Sequence, residues 1–312
     1  MQKLIAFAAC GALALGAAAC GEDDSSDSGG GGGGDLSGKI RIDGSSTVAP
    51  FAQAAAEDFQ GQNPNVKITV GTSGTGGGFE KFCAGETDIS DASRPIKDDE
   101  EVPICEKNKV TYKEVQVADD GIAVVTNPEL EVDCLTVEQL KELWNEGSEV
   151  TKLSQIDPKL PDTELSLFGP GTDSGTFDFF TDEINGEEGV SRKDYQPSED
   201  DNVLVQGVEG EAGGLGYFGF SYYEQNQDKL NLVGVDSGSG CVKPAAKAIQ
   251  SGEYKPLSRP LFMYPSEKAL KRPEVKAFMD YVVENYGPIA EASQIVPMNQ
   301  SQADEAKTAL SG

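Results

Sequence analysis

The chain has 312 residues, of which 53 are acidic, 25 basic and none histidine, giving a formal net charge of −28. That charge argues against nucleic acid as a partner, because affinity there rests on Lys and Arg neutralising phosphates. Without histidine there is no Ser-His-Asp or Cys-His catalytic pair, and the commonest zinc ligand is missing. The length permits two lobes or domains of ordinary size, and a hydrophobic content of 38% alongside 37 glycines is that of a folded chain.

In chain order, Met1-Gln2-Lys3 and the apolar run from Leu4 to Ala19 come first. The run is too short, and too rich in Ala and Gly, to span a bilayer core of ~30 Å permanently. Residues 1–19 therefore read as an export signal. Ala17-Ala18-Ala19-Cys20-Gly21 resembles a bacterial lipoprotein cleavage site, with Ala17 where Leu is usual, and that resemblance implies lipidation of Cys20. Acidic and serine residues from Glu22, followed by the glycines Gly29 to Gly34, cannot bury a core. Residues 20–35 are expected to be a lipidated cysteine and a flexible tether, holding a globular body at the outer face of a membrane.

The body alternates strand and helix patterns. Lys39–Ile42 predicts a strand, Val48–Phe59 a helix with Phe51, Ala55 and Phe59 on one face, and Val66–Val70 a strand. A short helix around Glu80–Cys83 and a strand at Asp88–Ser90 follow. Val115–Thr126 and Leu165–Phe168 read as strands; Val137–Trp144, Thr176–Ile184 and Val275–Tyr286 read as helices. The alternation argues for an α/β fold with a mixed, largely parallel sheet.

The informative positions are the strand-to-helix turns. Turn one is Asp43-Gly44-Ser45-Ser46-Thr47 before Val48; turn two is Gly71-Thr72-Ser73-Gly74-Thr75-Gly76-Gly77-Gly78 before Phe79; turn three is Gly171-Thr172-Asp173-Ser174-Gly175-Thr176 before Phe177. Helix N-termini carry unpaired N–H groups and a partial positive charge, and so accept anions. Hydroxyls add adaptable donors, and glycine lets the backbone approach a ligand. One such turn is explained as well by ordinary capping. Three in one α/β chain suggest a shared, compact, multi-oxygen anion. Turn two does not fit a GxGxxG dinucleotide fingerprint from either starting glycine. A fourth segment, Asp88 to Ile96, contains Asp91, Ser93 and Arg94. A guanidinium fork matches two oxygens of a tetrahedral oxyanion, and a salt bridge to Asp88, Asp91 or Asp98 is the plainer alternative for Arg94.

Gly44 to Val48, Gly71 to Phe79, Asp88 to Ile96 and Asp173 to Phe177 together resemble the phosphate-binding component of bacterial ABC phosphate importers, the PstS family. Leu135 to Trp144 and Gly214 to Gly219 resemble landmarks of that family as well. The resemblance runs from about Lys39 to the C-terminus. It implies a two-lobe clamshell of the type II periplasmic-binding kind, with a mixed, largely parallel sheet in each lobe. Lobe one would comprise 36–117 and 258–312 and lobe two 118–257, with hinge crossovers near Gln116–Ala118 and Pro256–Arg259. Phosphate would be bound by Ser46, Thr47 and the amide of Val48; by Ser73 or Thr75; and by Ser174, Gly175 and Thr176.

Two departures from the family pattern matter. Where some members carry an Arg four residues before Ser-Gly-Thr, this chain has Pro170, and where they carry an Asp it has Ser93. Arg94 is then expected to supply the cation, and Asp91 or Asp173 to accept the phosphate proton. The exported cysteines Cys83, Cys105, Cys134 and Cys241 allow three pairings; Cys83–Cys105 and Cys134–Cys241 each close within one lobe and are favoured. The expected protein is a non-enzymatic, monomeric, lipid-anchored receptor without metal or cofactor, delivering phosphate to an ABC permease. Receptors for sulfate or molybdate, and a phosphatase-like hydrolase using Ser46 or Thr47, are the alternatives. Without Lys3 and the acids of 22–35, 48 acidic residues still face 24 basic ones. Capture must therefore rely on short-range donors, and salt should change affinity little.

Overall fold

The computed structural model describes residues 36–172 and 174–311. The export signal, Cys20, the tether and Asp173 lie outside the described residues. The chain begins β1 (Gly38–Gly44), α1 (Ala49–Gln62), β2 (Val66–Val70), α2 (Gly74–Cys83), β3 (Ile89–Ala92) and α3 (Val102–Lys107). In α1, Pro50 falls in the first turn, where a missing N–H costs nothing, and Phe51, Ala52, Ala55, Ala56 and Phe59 form the buried stripe. A long strand, β4 (Val115–Thr126), then leads into the second half.

There β5 (Cys134–Thr136) runs straight into α4 (Val137–Trp144). The Thr136 hydroxyl accepts from the amide of Gln139, whose side chain accepts from the Thr136 amide, so two free helix-start donors are satisfied reciprocally. The chain continues through β6 (Ser166–Pro170), α5 (Gly175–Phe180) with a wider π turn at Thr181–Asn185, β7 (Gln196–Ser198), α6 (Asp201–Gly210), β8 (Gly214–Gly219), α7 (Phe220–Glu224), β9 (Asn231–Asp236), β10 (Cys241–Val242) and α8 (Ala246–Gln250). It returns along β11 (Ser258–Pro265) to α9 (Glu267–Leu270), α10 (Pro273–Glu284), α11 (Tyr286–Ala292) and α12 (Gln300–Ser311).

The main strand order is β2-β1-β3-β11-β4-β8-β6-β7, with β9 also pairing β4 and carrying β5 and β10. The flanks are parallel: β1 with β2 and β3, β6 with β7 and β8, β5 with β9. The ladders of β11 and β4, and that of β9 with β10, are antiparallel, so the sheet is mixed.

Two apolar cores define two lobes. One gathers Ile40, Phe51, Val117, Ala118, Leu261, Met263, Phe278 and Leu310, with a satellite of Phe79, Phe82, Phe262 and Tyr264. The other gathers Ile122, Leu143, Trp144, Phe180, Tyr217, Val233 and Leu257. Core membership switches between Ala118 and Ile122 on β4, and between Leu257, just before β11, and Leu261 within it. The two strands cross side by side there, with Ser258 opposite Gly121, Arg259 opposite Asp120 and Pro260 opposite Asp119. Disulfides join Cys83 to Cys105, tying α2 to α3, and Cys134 to Cys241, tying β5 to β10. Among the described residues no helix is long and apolar enough to cross a membrane.

Candidate functional site

Turn one leaves β1 at Gly44, whose φ of 147° belongs to the region that favours glycine. A side chain there would run into the backbone carbonyl of Asp91, the group that accepts from the Ser45 amide at 2.9 Å. Ala49 donates back to the Ser45 carbonyl at 3.0 Å. The amides of Ser46, Thr47 and Val48 have no acceptor among the described residues. In turn two, Asp43 accepts from the Ser73 amide at 3.0 Å, the Ser73 hydroxyl at 2.7 Å and Lys81 Nζ at 2.6 Å. Burial works to raise the Asp43 pKa, but the bonds from Lys81 and Ser73 outweigh it and hold the carboxyl below its usual range. Ser73 is thereby committed to the scaffold. Thr75 shares its hydroxyl with that of Ser93 at 3.0 Å and accepts from the Ser93 amide at 3.2 Å. In turn three, the Ser174 hydroxyl caps α5 by accepting from the Thr176 amide at 3.2 Å.

These turns meet at one cleft of about 650 Å³. Ser46, Thr47, Ser73, Thr75, Ser93 and Arg94 line it from the first lobe and Gly175 from the second. Val48, Asp91, Ser174 and Thr176 stand outside its wall, Val48 and Asp91 fully buried. Neither carboxylate oxygen of Asp91 has a hydrogen-bond partner. Burial, and then the nearby Asp43, push its pKa well above the ordinary carboxylate range.

Arg94 lies on the wall, but its fork is taken by Glu101, with Nη1 to Oε2 at 2.9 Å and Nη2 to Oε1 at 2.8 Å. The partner is Glu101 rather than Asp88, Asp91 or Asp98, because α3 brings its first turn over this loop. A second guanidinium, that of Arg259 on β11, reaches the same cleft. Its Nε donates to Asp120 Oδ2 at 3.2 Å, and its Nη2 donates to Thr47 Oγ1 at 2.7 Å and to the Gly175 carbonyl at 3.2 Å. Its Cζ lies 3.8 Å from the centre of the Phe179 ring. The far wall is acidic, with Asp178, Asp182, Glu183 and Glu188. Burial and then Glu188 push Asp178 up to about 6, against the pull of Arg259.

Arg259, Asp120, Phe179 and the acidic wall are the site residues that sequence reasoning missed. The tripeptide Ser93-Arg94-Pro95 recurs as Ser258-Arg259-Pro260, and that repetition was the available signal. Among the described residues no group of side chains has the makings of a metal site. The arrangement offers neutral donors and a guanidinium to a small anion held between two lobes.

Fold and site together define a two-lobe binding protein with its ligand cleft between the lobes. Residues 29–285 match the model of a PBP superfamily domain. The chain is 46% identical over 266 residues to Protein SphX of Synechocystis, covering 84% of this chain and 79% of that one. It is 41% identical over 276 residues to the phosphate-binding protein PstS of Staphylococcus saprophyticus, covering 88% and 84%. The crystal structure of "a possible phosphate binding protein" from Planctomyces limnophilus superposes with a TM-score of 0.83 at 44% identity, over 88% of this chain and 98% of that one. The chain belongs to the PBP superfamily and, within it, to the family of SphX and PstS.

Proposed function

We propose that this protein is an extracytoplasmic receptor that closes on inorganic phosphate and passes it to an ABC permease. The carrying observation is the convergence of Gly/Ser/Thr turns from both lobes on one cleft, with the amides of Ser46, Thr47 and Val48 unclaimed. Relatives whose names specify phosphate binding support the choice of anion. In this reading Ser46, Thr47 and the amide of Val48 meet the ligand from lobe one, assisted by Thr75 and Ser93. Gly175 meets it from lobe two, shaped by Ser174 and Thr176. The lobes are 36–117 with 258–312, and 118–257, joined where β4 and β11 cross. Processing after residue 19 would leave Cys20 lipidated and the receptor tethered as a monomer, with no catalytic role.

Asp91 takes the part of proton acceptor. It adjoins the cleft through turn one, and its buried carboxyl lacks a protein donor. The role needs the ionised carboxyl, so the positive helix starts and the cleft guanidinium must offset the burial that raises its pKa; it then accepts from a protonated phosphate oxygen and repels fully ionised sulfate. Calorimetry on the purified protein should show phosphate binding about a hundredfold or more tighter than sulfate, and Asp91→Asn should erase most of that gap. Equal affinity for the two anions in the unmodified protein would rule the reading out.

A further inference from the structure

The cation of the cleft need not come from either anion-binding turn. Arg94 is locked end-on in Glu101, donates also to the Pro95 carbonyl at 3.1 Å, and remains 34% exposed. Arg259 is 15% exposed and stands where β4 and β11 pass from one core to the other. Its contacts are divided between the lobes: Thr47 belongs to the first, Gly175 and Phe179 to the second, and Asp120 to the crossing itself. Nε and Nη2 are occupied by these partners, whereas Nη1 has no hydrogen-bond partner among the described residues and is not sealed from solvent. An arginine presents five N–H donors in a fixed fork, so one edge remains for a ligand after the other is anchored.

Resting on the reading of the cleft as a phosphate site, we infer that Arg259, not Arg94, is the charge partner of the bound anion. Asp120 is the positioning residue that fixes its fork, and Phe179 is the platform it lies on. A guanidinium rooted in the crossing strands stands between the lobes and here touches both. The anion it holds can gather donors from turn one and from Gly175 only when the lobes are together. Ligand capture and closure then draw on the same side chain, which gives the closed state the differential contacts a population shift requires. Asp120 keeps the cation compensated while the cleft is empty, and it leaves the Nη1 edge free.

The test is calorimetry with inorganic phosphate on the full-length protein in detergent, together with small-angle X-ray scattering to read closure and thermal melts to confirm folding. Arg259→Gln should weaken phosphate binding by about a hundredfold, the scale for losing one partner of a buried charge pair. Arg94→Gln should stay within about threefold, as for a partly exposed ion pair. Arg259→Lys, which keeps the charge but not the fork, should bind at least about tenfold more weakly and compact less at saturating phosphate. Asp120→Asn should weaken binding and Asp120→Glu should restore most of it, a rescue that a purely structural role would not give. Should Arg259→Gln fail to fold, the Lys variant carries the test. Affinity within threefold of the unmodified protein for either Arg259 variant, or the large loss appearing at Arg94, overturns the inference. If the unmodified protein ignores phosphate but binds sulfate or molybdate, the phosphate reading fails and the same variants are scored on that anion. If it binds none of the three, both fail.

Discussion

Gly175 is the residue at which turn three meets turn one. A methyl group there would collide with Thr47 Oγ1, and it would lie 2.6 Å from Ser46 Oγ and 2.8 Å from the Thr47 amide nitrogen. One of these neighbours is backbone, so no single rotamer change makes room. The backbone at Gly175 is not left-handed and alanine is the better helix former, so the substitution should not harm the isolated lobe. Gly175→Ala is expected to lower phosphate affinity about tenfold or more while leaving the melting temperature close to that of the unmodified protein; calorimetry and a thermal melt check both halves. At this scale the site was partly legible. The hydroxyl and glycine turns declared themselves because their local chemistry is unusual. The choice between two identical Ser-Arg-Pro tripeptides did not, because what separates them is tertiary. One lies beneath the first turn of α3, where Glu101 occupies it, and the other lies in the crossing, where Asp120, Thr47 and Phe179 surround it.

Among the elements, β2, β4 and α4 fall where the apolar pattern places them, β4 as a long apolar stretch interrupted by Asp119-Asp120-Gly121 and α4 with a capping box. Others escaped, α6, α12 and β11 among them. The α6 sequence carries Gly207 and Gly210, which weaken a helical pattern, yet any side chain at Gly207 would strike the Phe168 ring, so the glycine is the means of close packing against β6. Helix α12 buries only Ala303, Ala306 and Leu310, a stripe too thin to stand out in a polar sequence. Strand β11 contains Pro260, which argues against a central strand. The conflict is resolved because the facing residue, Asp119, exchanges both backbone bonds with Val296 instead, at 2.9 and 3.1 Å. The link between α2 and α3 is the element whose removal is most informative. Replacing Cys83 and Cys105 together by serine should cost about 3 kcal/mol of stability, by the chain-entropy account of a short loop. Phosphate affinity should be retained, since Glu101 and Arg94 are the groups loosened. Denaturant melts with calorimetry give both numbers, and a collapse of binding without unfolding would return Arg94 to the site.

For the molecule as a whole, buried carboxylates set the pH dependence of stability. Burial, then Asp120, push Asp119 up to about 7; burial, then Asp200, push Asp201 up to about 7; Asp178 stands at about 6. In the unfolded chain these groups titrate near 4. Between the two ranges the folded state holds more protons than the unfolded, so stability is fully present below about pH 4 for these groups and is lost as the pH rises through 6 and 7. Asp43 and Asp194, whose pKa values are lowered, act oppositely and lose their contribution as the pH falls through the lowered range. The acidic surface adds its self-repulsion to the first trend. The thermal midpoint in phosphate-free buffer should therefore be a few degrees lower at about pH 8 than at about pH 5, and Asp119→Asn should flatten the slope; a midpoint that climbs over that interval would contradict the assignment. The two separate cores have an optical corollary. Trp144 is the only tryptophan, fully buried in the second core with edge contacts to Tyr217, Tyr195 and Phe180 at 4.9, 5.7 and 5.9 Å between ring centres. Indole emission thus reports one half of the protein while circular dichroism averages both. Their melting curves diverge if the halves come apart independently, and a ligand that bridges them draws the two curves together.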